Sequence, residues 1–141
     1  MSSVVRDPDP FVFDSRERDE IALFLAKCVL SAGPAVMEEY DRGCEVSSKQ
    51  DGSPVTSADR RAEAIICERL ASVKRSPPIC AEEAMAAGAR PRLGDRFLLV
   101  DPLDGTREFL ANNGEFTINV ALIERSAPIS GAVYAPAIGR L

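Results

Sequence analysis

Apolar residues recur at Ile21, Leu25, Cys28, Val29, Ala32, Val36 and Tyr40. Such spacing places them on one face of a helix. Asp14 or Ser15 offers a capping oxygen ahead of that face, and the pattern predicts a helix reaching about residue 40. Gly33-Pro34 interrupts it, and a proline inside a helix predicts a kink. Residues 41–56 lose the periodicity. Asp41-Arg42-Gly43 and Lys49-Gln50-Asp51-Gly52-Ser53-Pro54 are turn formers, so this segment reads as a mobile loop with room for a short hairpin. A second helical face opens at Thr56 or Ser57 and runs through Ala62, Ile65, Ile66 and Leu70, and Ser76-Pro77-Pro78 closes the unit.

The pattern then changes. Ile79-Cys80-Ala81 reads as a short strand leading to Glu82-Glu83, and residues 84–95 as an Ala- and Gly-rich connection. Phe97-Leu98-Leu99-Val100 is a continuous apolar run, which predicts a strand buried on both faces. Residues 106–111 read as a short helix. Thr117 to Ile123 and Ile129 to Tyr134 read as two further strands, the last ended by Pro136. Their short connection predicts antiparallel neighbours. Helices followed by strands make an α+β layer arrangement. Residues 1–13, with two Asp-Pro steps, read as a flexible leader.

Composition narrows the classes. The chain has 141 residues, 45% hydrophobic and 28% charged, which is enough for one domain with its own core. Its net charge of −5 gives no footprint for a nucleic acid polymer and suits a protein that concentrates cations. With no His, histidine-based catalysis and His-ligated zinc are excluded within these residues. Four Cys stand at 28, 44, 67 and 80 without a CxxC pair, as expected of reduced thiols in a cytoplasmic protein. The first residues lack an apolar core of the kind a signal peptide carries. No apolar stretch reads as reaching the roughly 18 residues of a membrane span.

The candidate chemistry lies in three acidic segments. Asp101-Pro102-Leu103-Asp104-Gly105-Thr106 follows the apolar strand. A sharp turn there, helped by Pro102 and Gly105, lets two carboxylates converge. Oxygen ligands without His suit a hard cation such as Mg²⁺. The backbone N–H groups at Gly105-Thr106 suit phosphate. A bare surface turn satisfies the same residues. Glu82-Glu83 reads either as a solvated acidic pair or as further ligands. Lys49 to Asp59 reads as a loop plus a helix cap, with Asp59 at the amino end of the helix. The three become one hypothesis if the fold brings them together.

The order Asp51-x-Ser53-Pro54-Val55-Thr56-x-x-Asp59, Glu82-Glu83, then Asp101-Pro102-Leu103-Asp104-Gly105-Thr106 resembles the inositol monophosphatase superfamily of Mg²⁺-dependent, lithium-sensitive phosphatases. Thr106-Arg107-Glu108-Phe109 and the run Asn113 to Ile123 resemble its CysQ branch of 3′(2′),5′-bisphosphate nucleotidases. Pro128-Ile129 to Pro136 extends the similarity, which covers residues 20–141. The resemblance implies a layered αβαβα sandwich, of which this chain covers the amino-terminal helix pair and the first, mostly antiparallel sheet. It implies that Glu82, Asp101, the Leu103 carbonyl and Asp104 hold two or three Mg²⁺ ions, with Asp101 bridging. Asp59 and Thr106 would orient and deprotonate the attacking water. Gly105 and Thr106 would hold the scissile phosphate, Glu83 would support the metal centre, and Lys49 would sit on a closing loop. One departure is the frame Cys80-Ala81 and Ala84 around the acids, where relatives often carry Ser, Gly or Asp; it bears on hydrogen bonding behind the ligands.

Family catalytic domains are nearly twice this length, and their second half carries a Trp-Asp-x-Ala-Ala motif with a further ligand. The resemblance therefore implies that residues 14–141 are the amino-terminal, metal-binding part of a sugar-phosphatase-type domain whose carboxy-terminal half is absent here. The implied reaction removes the 3′-phosphate of adenosine 3′,5′-bisphosphate to give AMP. Inositol or sugar phosphate hydrolysis is the first alternative, and a non-catalytic fragment or half-enzyme needing a partner chain is the second. A cytoplasmic homodimer with no membrane span is the implied setting.

Overall fold

The structure, a computed structural model, describes residues 15–141. The leader expected over residues 1–13 and the cap expected of Asp14 lie outside the described residues. Helix α1 (Ser15–Arg42) buries Leu25, Cys28, Val29, Ala32 and Val36, as the spacing predicts. It continues through Gly33-Pro34, where the sequence reading expects a kink. The glycine has a packing reason: a Cβ there would sit 2.7 Å from Tyr134 Cε1, so only a bare backbone admits the ring. Contrary to the sequence expectation, α1 is long and apolar enough by length and composition to cross a membrane; 44% of its most apolar window is buried inside the protein.

The expected loop is an antiparallel hairpin of β1 (Val46–Ser48) and β2 (Pro54–Thr56). Its turn is internally bonded: Lys49 N–H donates to Ser53 O at 2.8 Å, and Asp51 Oδ1 accepts from Ser53 N–H and Oγ–H at 2.9 and 2.6 Å. Helix α2 (Ser57–Ala71) follows, then β3 (Ile79–Ala81). Glu82 and Glu83 then open a short helix, α3 (Glu82–Ala86), where the sequence reading expects an irregular connection. Strand β4 (Arg96–Asp104), helix α4 (Thr106–Leu110), β5 (Thr117–Glu124), β6 (Ala127–Tyr134) and a 3-10 turn at Pro136–Ile138 complete the chain.

The sheet order is β3-β4-β5-β6, with β3 parallel to β4 and the remaining pairs antiparallel. Leu98, Val100, Ile118, Val120, Leu122 and Ala132 face α1 and α2 and form the core with Leu25, Val29, Ile66 and Leu70. Burial of β4 on both faces is not observed. Leu99 and Val133 point the other way and are 43% and 58% exposed. The continuous apolar run therefore does not have two covered faces in this chain. A ring cluster of Tyr40, Phe109 and Phe116, with centroids 4.9 to 5.4 Å apart, ties α1 to α4 and to the start of β5.

Candidate active site

Thr56 is the N-cap of α2 in a reciprocal capping box: its Oγ1 accepts from Asp59 N–H at 3.3 Å, and Asp59 Oδ2 accepts from Thr56 N–H at 2.7 Å. Thr56 Oγ1 also donates to Oδ2 at 2.6 Å. This is the structural role that a cap reading assigns to Asp59. The same carboxylate does more. Although Asp59 is 1% exposed, its Oδ1 accepts from Thr106 Oγ1 at 3.1 Å, across 47 residues of chain. The fold thus brings the two expected catalytic residues into direct contact. Thr106 Oγ1 also lies 3.3 Å from the Leu103 carbonyl oxygen.

Asp101 and Asp104 reach a common face by a route the sequence reading does not foresee. Residues three apart on a regular strand point to opposite faces. Here β4 continues to Asp104 and bulges, so that Asp101 pairs with Asn119 and Asp104 with Thr117. Three steps on β4 oppose two on β5, and the extra residue returns Asp104 to the side of Asp101. The strand bulges where a sharp turn was expected. Gly105 follows with φ 89° and opens α4. A Cβ there would meet the Glu115 carbonyl oxygen at 2.8 Å, so conformation and space both demand glycine.

Glu82 and Glu83 begin α3 directly after β3, the parallel neighbour of β4. Lys49 comes from the hairpin turn: its Nζ lies 2.8 Å from Glu82 Oε1 and 3.1 Å from Glu83 Oε1. The second contact is an ion pair only, for that buried oxygen has no hydrogen-bond partner. Burial works against the Lys49 charge, but the two carboxylates beside it outweigh burial and raise its pKa. Burial, followed by a hydrogen bond shared with Glu82, pushes the Asp101 carboxyl up to about 8. Burial also opposes ionisation of Glu82, yet the bond from Asp101 and the Lys49 ammonium hold its carboxyl below the usual value. Burial raises Glu83. Among the described residues, no group of three or more acidic or thiol side chains is arranged to hold a metal ion as it stands. Glu82 is engaged by Lys49, and Asp104 is exposed.

The donor chemistry nonetheless fits a hard divalent cation. The candidates are carboxylate and carbonyl oxygens only, and Asp101 Oδ1 is buried with no partner. An open pocket of 220 Å³ is lined by Lys49, Ser53, Pro54, Glu82, Gly105, Thr106, Arg107 and Glu108. Four of the expected site residues meet there from three separate segments. The sequence reading missed Glu63 altogether. This residue is 8% exposed and stands one helical turn after Asp59 on α2. Its carboxylate accepts from Glu83 N–H at 2.7 Å and Ala84 N–H at 2.9 Å. An acid four residues after Asp59, beside buried Ala62 and Ile66, is the signal that marks it. All four cysteines are free thiols; burial, then the Glu63 carboxylate, pushes the Cys67 thiol up to about 11, which leaves it a poor nucleophile.

Residues 17–141 match the inositol monophosphatase family. The chain is 46% identical over 110 residues to the 3′(2′),5′-bisphosphate nucleotidase CysQ of Salmonella typhimurium, covering 77% of this chain and 45% of that protein. The crystal structure of CysQ from Bacteroides thetaiotaomicron, described as a bacterial member of the inositol monophosphatase family, superimposes with a TM-score of 0.62 at 34% identity, covering 83% of this chain and 42% of that one. The IMPase of Thermotoga maritima gives a TM-score of 0.73 at 29% identity, covering 86% and 46%. The chain spans about half the length of the curated relatives it matches.

Proposed function

The chain belongs to the inositol monophosphatase family, and from that premise we propose that residues 14–141 are the amino-terminal, metal-binding part of a Mg²⁺-dependent phosphomonoesterase. We assign its substrate as adenosine 3′,5′-bisphosphate, which loses the 3′-phosphate to give AMP. The observation that carries the reading is the Thr106 Oγ1 to Asp59 Oδ1 hydrogen bond at the edge of a pocket that also holds Glu82 and Gly105. The relatives named CysQ supply the choice of substrate. A cytoplasmic homodimer is the assembly this reading expects.

Glu82, Asp101, the Leu103 carbonyl and Asp104 would hold two or three Mg²⁺ ions, which supply positive charge against the phosphate dianion and acidify water. The chain's own residues do the rest. Thr106 Oγ1 donates its proton to Asp59, which leaves an oxygen lone pair to accept a proton from a water in the pocket. As that water attacks phosphorus and the bond from phosphorus to the 3′-oxygen breaks, the water's proton passes to Thr106 and the Thr106 proton passes to Asp59, while the leaving 3′-oxygen takes a proton from solvent to give the 3′-hydroxyl of AMP. Burial of Asp59 within its capping box fixes the direction of Oδ1 before substrate arrives. The N–H groups at Gly105 and Thr106 are available to the phosphate oxygens at the amino end of α4. Glu83 sits behind the site, and Lys49 brings the hairpin over it.

The test uses the full-length protein with Mg²⁺, with and without Li⁺. Phosphate release from adenosine 3′,5′-bisphosphate should exceed that from inositol 1-phosphate, and Asp59→Asn should lower the rate by about 10²- to 10⁴-fold, the usual span for a positioned base. Faster turnover of inositol 1-phosphate overturns the substrate assignment. Full activity in Asp59→Asn overturns the proton path.

A further inference from the structure

Helix α3 starts without a cap of its own. Its N-cap is Ala81, extended at φ −108° and ψ 134°, with no side-chain oxygen to meet the first-turn N–H groups. A Ser, Thr or Asp at that position would accept from the second or third N–H of the helix. Those two groups belong to Glu83 and Ala84, and both donate instead to Glu63, on another helix and 20 and 21 residues earlier. The two oxygens of one buried carboxylate thus do the work of an absent N-cap. Glu63 is also placed to link two halves of the site. It follows Asp59 by one turn on the same face of α2, so a single rigid helix holds Thr106 through Asp59 and the backbone of Glu83 through Glu63.

The geometry points to Glu63 as a positioning residue for the Glu82-Glu83 pair: it caps α3 from α2 and so fixes where the Glu82 carboxylate stands relative to Asp101. The inference rests on the metal-dependent reading above. Glu63 touches neither phosphate nor the reacting water; it acts on the metal site only through the backbone of α3. Partners behind metal ligands typically account for 10- to 100-fold in affinity. Glu63 differs from the usual case because it bonds the backbone that bears the ligand, whereas such partners usually bond the ligand's own side chain.

The experiment compares the full-length wild type with Glu63→Ala, Glu63→Gln, the double variant Glu63→Ala/Ala81→Ser, and Asp101→Asn. Mn²⁺ binding is measured by electron paramagnetic resonance, amide hydrogen exchange is followed over residues 81–87, and folding is checked by thermal melting. Glu63→Ala should weaken Mn²⁺ binding at least tenfold and speed exchange over 81–87. Ala81→Ser in that background should restore most of both, because it returns an oxygen to the N-cap. Glu63→Gln, with one acceptor left, should fall between, and it answers the question if Glu63→Ala does not fold. A folded Glu63→Ala or Glu63→Gln that binds Mn²⁺ as the wild type does overturns the inference. So does a loss that Ala81→Ser leaves unrepaired. If Asp101→Asn binds Mn²⁺ like the wild type, the metal reading itself has failed, which the hydrogen-exchange readout on α3 separates from a failure of the capping role.

Discussion

Asp59 divides its two oxygens between two partners: Oδ2 closes the capping box of α2, while Oδ1 receives the Thr106 hydroxyl. The arrangement sets a buried carboxylate at a helix amino end, where the helix dipole favours its charge. Gly105 is the other residue with no substitute. Its φ is 89°, and a methyl group on its Cα would stand 2.8 Å from the Glu115 carbonyl oxygen. Gly105→Ala should therefore lower stability by about 1–3 kcal/mol, measured by urea unfolding. Wild-type stability in that variant would show that the turn yields freely. A second residue-level expectation concerns pH. Glu124 accepts from Arg96 Nη2 at 2.6 Å, and that bond holds its carboxyl below the ordinary value of 4.5. A depressed carboxyl stabilises the fold above its unfolded value, and the contribution is lost as pH falls through the folded value. Glu124→Gln should therefore show a shallower fall in stability than the wild type between about pH 6 and about pH 3; equal slopes would deny the pair a role. Asp59 as a helix cap and Gly105 as a turn residue were legible from residue type, whereas the roles proposed for Asp59 and Thr106 came only with the family resemblance. Glu63 carries a weaker signal: its place beside buried Ala62 and Ile66 marks a buried acid, but the backbone N–H groups it serves leave no mark in a sequence.

At the scale of elements, α1 and α2 follow from periodicity, since each buries one face and the spacing records which, while β3 to β6 follow from apolar runs. What periodicity could not show was how β4 ends. A one-residue bulge has no apolar signature, yet it sets Asp101 and Asp104 on one side. The covering of β4 was also misread, because a run such as Phe97-Leu98-Leu99-Val100 encodes apolar character on two faces without saying what lies against each. The β5–β6 connection holds an improvable turn. Arg125 and Ser126 have φ of 48° and 65°, the left-handed pair that a two-residue hairpin turn requires and that Asn-Gly adopts with least strain. Replacing the pair, Arg125→Asn with Ser126→Gly, should raise stability by about 1 kcal/mol in thermal or chemical melts. An unchanged or lowered melting point would mean that the native side chains contribute more than their backbone costs.

For the whole molecule, one layer of helices lies against one face of a four-stranded sheet, and the opposite face carries Leu99 and Val133 in the open. Among the described residues, strand β6 also stands at the sheet edge, with no strand paired along its outer side. As a free 141-residue chain, the protein should self-associate with rising concentration, and Val133→Lys should shift it towards monomer in light scattering. Identical masses for both proteins at all concentrations would remove that edge as the cause. The packing of Tyr134 against Gly33 has a different consequence, which lies in time rather than space. Helix α1 is synthesised ahead of β6, so the ring that packs against its middle leaves the ribosome after it. About 85 residues separate Arg42 from the start of β6, which is roughly 4 to 17 s of synthesis at the usual pace. For that interval the one helix among the described residues with membrane-like length and composition travels without that cover, its apolar middle open to other contacts.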